Sequence, residues 1–237
     1  MIHIPTINSF IRALHALPGV GAVDVFINEE LLDENLTYKN VSRYLPIGPG
    51  NNRIQVFLEG NRTNPILDTE VNLPPSEAIT LALIGEISDV ETLPILQPFG
   101  DIAPQEVRIR FANLSPDAPE LDLFLNDNRV ISDVAYRQVT GYSSVSPDTY
   151  SVQLRPTNNS DIILARKNLL FRGGSGYIVY AVGLVEGDPA VEIIYFEDEL
   201  PVVEEAEVVE EAEASKVEEV RKAAPGKSNV KIIFKYV

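Results

Sequence analysis

The chain repeats itself without a gap. Ile11-Arg12 returns as Ile109-Arg110, and Val23-Asp24-Val25-Phe26-Ile27-Asn28 returns as Leu121-Asp122-Leu123-Phe124-Leu125-Asn126, at an offset of 98 residues in both cases. The same shift pairs Pro18 with Pro116, Tyr38 with Tyr136, Tyr44 with Tyr142, Gln55 with Gln153 and Gly85 with Gly183. Two copies of one domain follow, each long enough to enclose its own core. The repeat fixes an architecture and leaves the chemistry open.

Short apolar runs with strand-like alternation recur about every ten residues between turn residues, the pattern of an all-β sandwich. The fold expected is all-β: two tandem immunoglobulin-like β-sandwich domains, residues 1–100 and 101–199. An acidic linker or marginal helix over 200–229 and a terminal strand over 230–237 are expected to follow. In the first copy strands are expected at Ser9 to Leu14, Val23 to Ile27, Ser42 to Leu45, Arg53 to Glu59, Ile66 to Leu73 and Ile79 to Ile84. In the second they are expected at Val107 to Ala112, Leu121 to Leu125, Thr140 to Ser143, Thr149 to Arg155, Ile162 to Phe171, Tyr177 to Leu184 and Val191 to Phe196. Period-two alternation turns Val23, Val25 and Ile27, with Leu121, Leu123 and Leu125, toward the cores. It leaves Asp24, Phe26, Asp122 and Phe124 facing solvent, the partner copy or a neighbour. Gly173-Gly174-Ser175-Gly176 precedes strand-like Tyr177 to Tyr180, so it reads as a hairpin turn rather than a phosphate loop, which needs a following helix.

The run Arg108-Ile109-Arg110-Phe111-Ala112-Asn113-Leu114-Ser115-Pro116-Asp117-Ala118-Pro119, followed by Leu121 to Asn126, Val134-Ala135-Tyr136 and Tyr142, resembles the bacterial family of domain of unknown function 4397. The Ser-Pro-Asp-Ala-Pro turn before an alternating, Asp-containing strand carries the resemblance. It covers residues 106–198 well and reaches 8–100 through the duplication, where Leu17-Pro18-Gly19-Val20-Gly21 departs from that wording. The resemblance implies immunoglobulin-like sandwiches in tandem, exported to bacterial envelopes, and supplies no catalytic residue.

Composition excludes several classes. With no cysteine there is neither a disulfide nor a thiolate metal site. The net charge of −16 is uneven: 13 bases and 24 acids over residues 1–196, 11 acids against Lys216 over 197–220, and five bases with no acid over 221–237. An acidic body repels phosphate backbones, so no nucleic-acid partner is expected. No run approaches a membrane span, and none inserts. Met1 to Phe10 lacks the charged and apolar regions of a secretory signal. That leaves a cytoplasmic location open beside the bacterial cell or spore surface that the resemblance implies.

No catalytic set emerges and no cofactor is expected. His3 and His15 are the only histidines, no nucleophile-elbow sequence accompanies them, and His15 stands where the second copy has Asn113. Asp117, Glu120 and Asp122 crowd three carboxylates by a proline turn; a solvated turn whose acids bond their own backbone is the reading favoured over a Ca²⁺ site. Tyr38 and Tyr44, with Tyr136 and Tyr142, are expected to pack at a sandwich edge with each hydroxyl on a backbone partner. Sugar stacking is the sharper alternative.

From Val202 to Val220 apolar residues fall near a helical period among glutamates, and Ala223-Ala224-Pro225-Gly226 ends the pattern. Val230 to Val237 then reads as a strand without counterpart in the duplication. So apolar a strand must dock on a sheet edge, in its own domains or on another molecule by strand addition. The expected function is a non-catalytic structural or adhesive module that associates with itself or another envelope protein. Candidate interaction residues are Phe26, Phe124, Ile232, Phe234 and Tyr236. A glycan- or peptide-binding module is the alternative, and an unrecognised hydrolase comes third.

Overall fold

The computed structural model describes residues 9–97, 102–159, 162 and 164–198. All lie in the first of two compact units, Met1–Pro201 and Val202–Val237. The expected acidic linker or helix, the terminal strand and its residues Ile232, Phe234 and Tyr236 lie outside the described residues.

The first copy supplies β1 (Ser9–His15), β2 (Val23–Ile27), β3 (Glu30–Leu36), β4 (Leu45–Ile47), β5 (Gly50–Leu58), β6 (Leu67–Leu73), β7 (Ala78–Glu86) and β8 (Asp89–Gln97). The second supplies β9 (Val107–Asn113), β10 (Leu121–Leu125), β11 (Asn128–Val134), β12 (Ser143–Val145), β13 (Asp148–Pro156), β14 (Ala165–Phe171), β15 (Ser175–Val182) and β16 (Glu192–Glu197). Each copy is a sandwich of two four-stranded sheets, β4-β1-β7-β8 over β3-β2-β5-β6 and β12-β9-β15-β16 over β11-β10-β13-β14. Pairing is antiparallel except for β1 with β7 and β9 with β15, which run parallel.

Three strands escape the sequence pattern. β3 and β11 are polar edge strands entered through two-residue turns, Asn28-Glu29 and Asn126-Asp127, whose four residues all have positive φ. That geometry matches the twist of a tight hairpin, and these turns achieve it without the glycine that usually signals it. β8 carries Pro94, which an edge strand tolerates because its N–H is not needed by a second neighbour. The strands expected at Ser42 to Leu45 and Thr140 to Ser143 form further along, at Leu45–Ile47 and Ser143–Val145, and isolated bridges at Val41 and Val139 precede them. The Gly173 to Gly176 segment is no hairpin: β14 and β15 belong to opposite sheets, so it crosses between layers.

Each sandwich closes on its own core. Ile11, Ala13, Ile79, Leu81 and Leu83 meet Val23, Val25, Ile27, Ile54 and Val56 in the first copy. Ile109, Phe111, Val179 and Ala181 meet Leu121, Leu123, Leu125, Val152 and Leu154 in the second. A third core joins the copies: Leu14, Ala16, Ala82, Ile84 and Ile95 pack with Ala112, Leu114, Ile178, Tyr180, Val182 and Ile194. β7 therefore sends Ile79, Leu81 and Leu83 to its own sandwich and Thr80, Ala82 and Ile84 to the other copy, with every residue from Ala78 to Gly85 buried. A strand covered on both faces reads as a near-continuous apolar run, which β7 carries over Leu81 to Ile84 and β15 over Tyr177 to Val182. Fully burying each large aliphatic side chain contributes about 1.5–3 kcal/mol, so the third core holds the copies by the force that closes each sandwich.

Candidate functional site

The contact between the copies is built from equivalent positions. Leu14 and Ala112, Ala16 and Leu114, Ala82 and Tyr180, and Ile84 and Val182 are pairs in the duplication, and all eight lie in the third core. Strand register extends the match. Leu93 lies opposite Ala82 as Ile194 lies opposite Tyr180, and Glu91 lies opposite Ile84 as Glu192 lies opposite Val182. Lys39 Nζ of the first copy meets Glu192 Oε1 of the second at 2.9 Å, and Arg137 of the second meets Glu91 of the first. Lys39 and Arg137 are duplicated positions with nearly equal positive φ, 72° and 70°. The seam thus has the reciprocal contacts of an approximate two-fold.

Further along the seam lies a buried polar cluster. Arg110 on β9 donates through Nε and Nη2 to Asp198 at 2.9 and 3.1 Å, and through Nη1 to the first copy's Leu96 carbonyl at 2.7 Å. Tyr142 donates its hydroxyl to the same carboxylate at 2.5 Å, and its ring lies 5.2 Å from the guanidinium. Burial first, and then the Asp198 charge, pushes the Tyr142 hydroxyl well above its usual range. In the first copy Arg12 donates Nε to Thr80 Oγ1 at 2.9 Å, Gln97 Nε2 donates to the same oxygen at 3.0 Å, and the Arg12 guanidinium lies 4.8 Å from the Tyr44 ring. Arg12 Nη2, Gln97 Oε1 and the hydroxyls of Tyr44 and Tyr180 are buried without a partner of good geometry, although Thr80 lies close to Tyr44.

The four repeated tyrosines all face this seam, and their hydroxyls correct the expectation of backbone partners. Those of Tyr38, Tyr44 and Tyr136 find none, and that of Tyr142 goes to a side chain. Tyr38 and Tyr136 pack against the third core. The sequence alone does not disclose the seam, because in it Arg12 and Arg110 stand only as markers of the repeat. The available signal was an arginine alternating with apolar residues in a strand expected to be buried.

Asp24 and Asp122, expected on an outer face, are instead sealed, at 2% and 0% exposure. Each carboxylate accepts the N–H of a positive-φ residue in the adjacent strand, Asn35 at 2.9 Å and Asp133 at 3.0 Å, where the register of β3 and β11 slips. Burial alone would raise the Asp122 carboxyl; the Thr157 hydroxyl at 2.6 Å, the Asp133 N–H and Arg129 outweigh it and hold it below the usual range. Asp117 caps the N–H groups of Val185 and Glu186 at 2.8 and 2.9 Å. Glu120 is exposed beside a shallow recess with Pro119, Thr157 and Asn158. Asp117 and Asp122 therefore do separate jobs while Glu120 stays exposed, and among the described residues no group of three potential metal ligands gathers.

Phe26 is half-buried and Phe124 only 7% exposed. Arg62 lies 4.5 Å above the first ring and Arg155 4.3 Å above the second, so cations cover the faces that a sugar or peptide would stack on. His15 is fully buried: Nδ1 accepts from Leu17 N at 3.3 Å and Nε2 donates to the Gly21 carbonyl at 2.9 Å. Asn113 repeats the pattern, its Oδ1 accepting from Ser115 N and its Nδ2 reaching the Pro119 carbonyl.

The model of a family described as Domain of unknown function (DUF4397) matches residues 9–124 and again residues 108–209. The chain belongs to that family. Two matches agree with tandem copies of the DUF4397 domain. No curated protein matches the sequence. Among solved structures, one similar chain is CBMbc, of family CBM26, from Eubacterium rectale Amy13K in complex with maltoheptaose. It is 10% identical with a TM-score of 0.25, covering 82% of this chain and 98% of the other. A second is a streptococcal virulence factor described as binding alpha-glucan, 10% identical with a TM-score of 0.24, covering 78% of this chain and 96% of the other. A third is a leucine-rich repeat protein from Bacteroides thetaiotaomicron, 13% identical with a TM-score of 0.22, covering 78% of this DUF4397 chain and 27% of its own.

Proposed function

We propose that the protein is a non-catalytic structural or adhesive module of a bacterial cell or spore surface, which associates with further copies or with another envelope protein through residues 230–237. The observation that carries the reading is the third core. It fuses two sandwiches into one block of four stacked sheets, with the central strands of both inner sheets, β1 and β7 and β9 and β15, buried on both faces. The groups that could do chemistry serve that block: His15 fixes a turn, Asp24 and Asp122 hold strand irregularities, and Arg110 with Asp198 pins the seam. A glycan- or peptide-binding role would use the Phe26 and Phe124 faces, which Arg62 and Arg155 cover, or the repeated tyrosines, which face the seam.

The test is light scattering coupled to size exclusion, with negative-stain microscopy, on the full chain, on Ile232→Asp/Phe234→Asp, and on a truncation after Leu200. Oligomers or fibres from the full chain alone support assembly through that segment. Monodisperse monomers from all three at high concentration overturn it.

A further inference from the structure

The two halves of the seam are built alike and filled differently. Arg110 has the Asp198 carboxylate. In the first copy the matching place belongs to Gln97, because Gln97 lies opposite Ala78 as Asp198 lies opposite Gly176 at the next step of the register. Arg12 is 8% exposed, its Nη2 is buried without a partner, and among the described residues no acid pairs with it. Gln97 and Tyr180, at 1% and 0% exposure, each also hold an unpartnered polar atom.

The amide of Gln97 sharpens the chemistry. As oriented, Thr80 Oγ1 faces two donors, Arg12 Nε and Gln97 Nε2, while Gln97 Oε1 faces none. The two ends of an amide differ little in shape, and the hydrogen-bond network assigns them. Turning this one over lets Oε1 accept the Thr80 hydroxyl and leaves Nε2 as the unpartnered atom. Every group left over can then donate: Arg12 Nη2 and Gln97 Nε2 can only donate, and the hydroxyls of Tyr44 and Tyr180 can each turn a proton the same way. Among the described residues the cluster carries two guanidinium charges against the one carboxylate of Asp198, and a buried charge without a counter-charge is strongly unfavourable.

We propose that the seam binds a small monovalent anion, of halide or short-carboxylate size, against Arg12 Nη2 and the Gln97 amide, in the role that the Asp198 carboxylate has beside Arg110. A water molecule would meet the donors and leave the charge unbalanced. The site is independent of the surface-assembly reading.

The test follows thermal unfolding of the full chain in sodium chloride, bromide, formate and gluconate at one ionic strength, beside Gln97→Asp. Chloride, bromide or formate should stabilise the natural chain over gluconate. Above the dissociation constant each tenfold rise in anion should raise the melting temperature by about 3–6 °C. Halide response without formate response identifies a site of single-ion size, and the reverse identifies a carboxylate site. Gln97→Asp supplies the missing carboxylate, so it should melt higher than the natural chain in gluconate and lose the small-anion response. A crystal grown in bromide should show an anomalous peak in hydrogen-bond contact with Arg12 Nη2, a measurement that stands even if the variant does not fold. Equal anion responses in the two proteins, or a water at the site in saturating bromide, overturn the proposal.

Discussion

Replacing His15 with Asn should keep the fold and remove one pH-dependent component of its stability. The second copy already contains the experiment: Asn113 accepts from Ser115 N at 3.2 Å and donates to Pro119 O at 3.4 Å, as His15 does with Leu17 and Gly21. The His15 bonds require a neutral ring with its proton on Nε2, and burial, outweighing the Gly21 hydrogen bond, lowers its pKa from the usual 6.5. Between the folded pKa and 6.5 the unfolded chain binds more protons. His15 stability is therefore fully present above 6.5 and lost as pH falls toward the folded value. One proton bounds the slope at about 1.4 kcal/mol per pH unit. That is a fall of about 3–5 °C per unit for a chain this size. Asn cannot titrate, so subtracting its curve from that of the natural chain, measured by circular dichroism from pH 5 to 8, isolates His15, and every other group cancels. At pH 8 the variant should lose only the edge contact of His15 with Tyr38, centroids 5.9 Å apart, worth about 0.5–1.5 kcal/mol. Parallel curves across the range, or a loss of several kcal/mol at pH 8, would refute the reasoning.

Arg110→Ala strands the Asp198 carboxylate in the seam and should cost about 3–5 kcal/mol in chemical denaturation; a loss below about 1 kcal/mol would place the pair outside the core. Asp122→Ala removes the acceptor for the Asp133 N–H and the Thr157 hydroxyl. It should cost about 1–3 kcal/mol at neutral pH, a deficit that shrinks on acidification toward the lowered Asp122 pKa as the natural chain loses the same stabilisation. Ala82→Glu drives a charge into the third core, and calorimetry should then resolve two transitions where the natural chain shows one. Gly183→Ala sets a Cβ 2.4 Å from the Ala190 carbonyl oxygen at a φ of +94°, and should lower stability by about 1–3 kcal/mol, with Gly85→Ala behaving alike.

Strands whose side chains alternate between one core and solvent were legible, as was the duplication. The irregular edges were not, because β3 and β11 send Leu32, Leu36, Ile131 and Val134 to the cores at a spacing broken by a register slip, which a buried Asp on the neighbouring strand holds. The seam was half-legible. Near-continuous apolar runs at Ala78 to Ile84, interrupted only by Thr80, and at Tyr177 to Val182 announce strands buried on both faces, but a single sequence does not say what covers the second face. Asp198 was invisible as a site residue because its partner Arg110 lies 88 positions away, brought near by the parallel pairing of β9 with β15 and the register of β16.

In a symmetric dimer of identical chains every substitution at the interface enters twice, so a large residue must tolerate its own image across the axis. Joining the two copies in one polypeptide lifts that constraint. Tyr180 can fill the third core because its counterpart is Ala82, and Lys39 and Arg137, or Gln97 and Asp198, can differ while facing equivalent surroundings. Covalent linkage thus turns a self-matching surface into two complementary ones. Each half can then drift in sequence so long as the other half compensates, and the two copies become mutually specific partners that no longer need to recognise themselves.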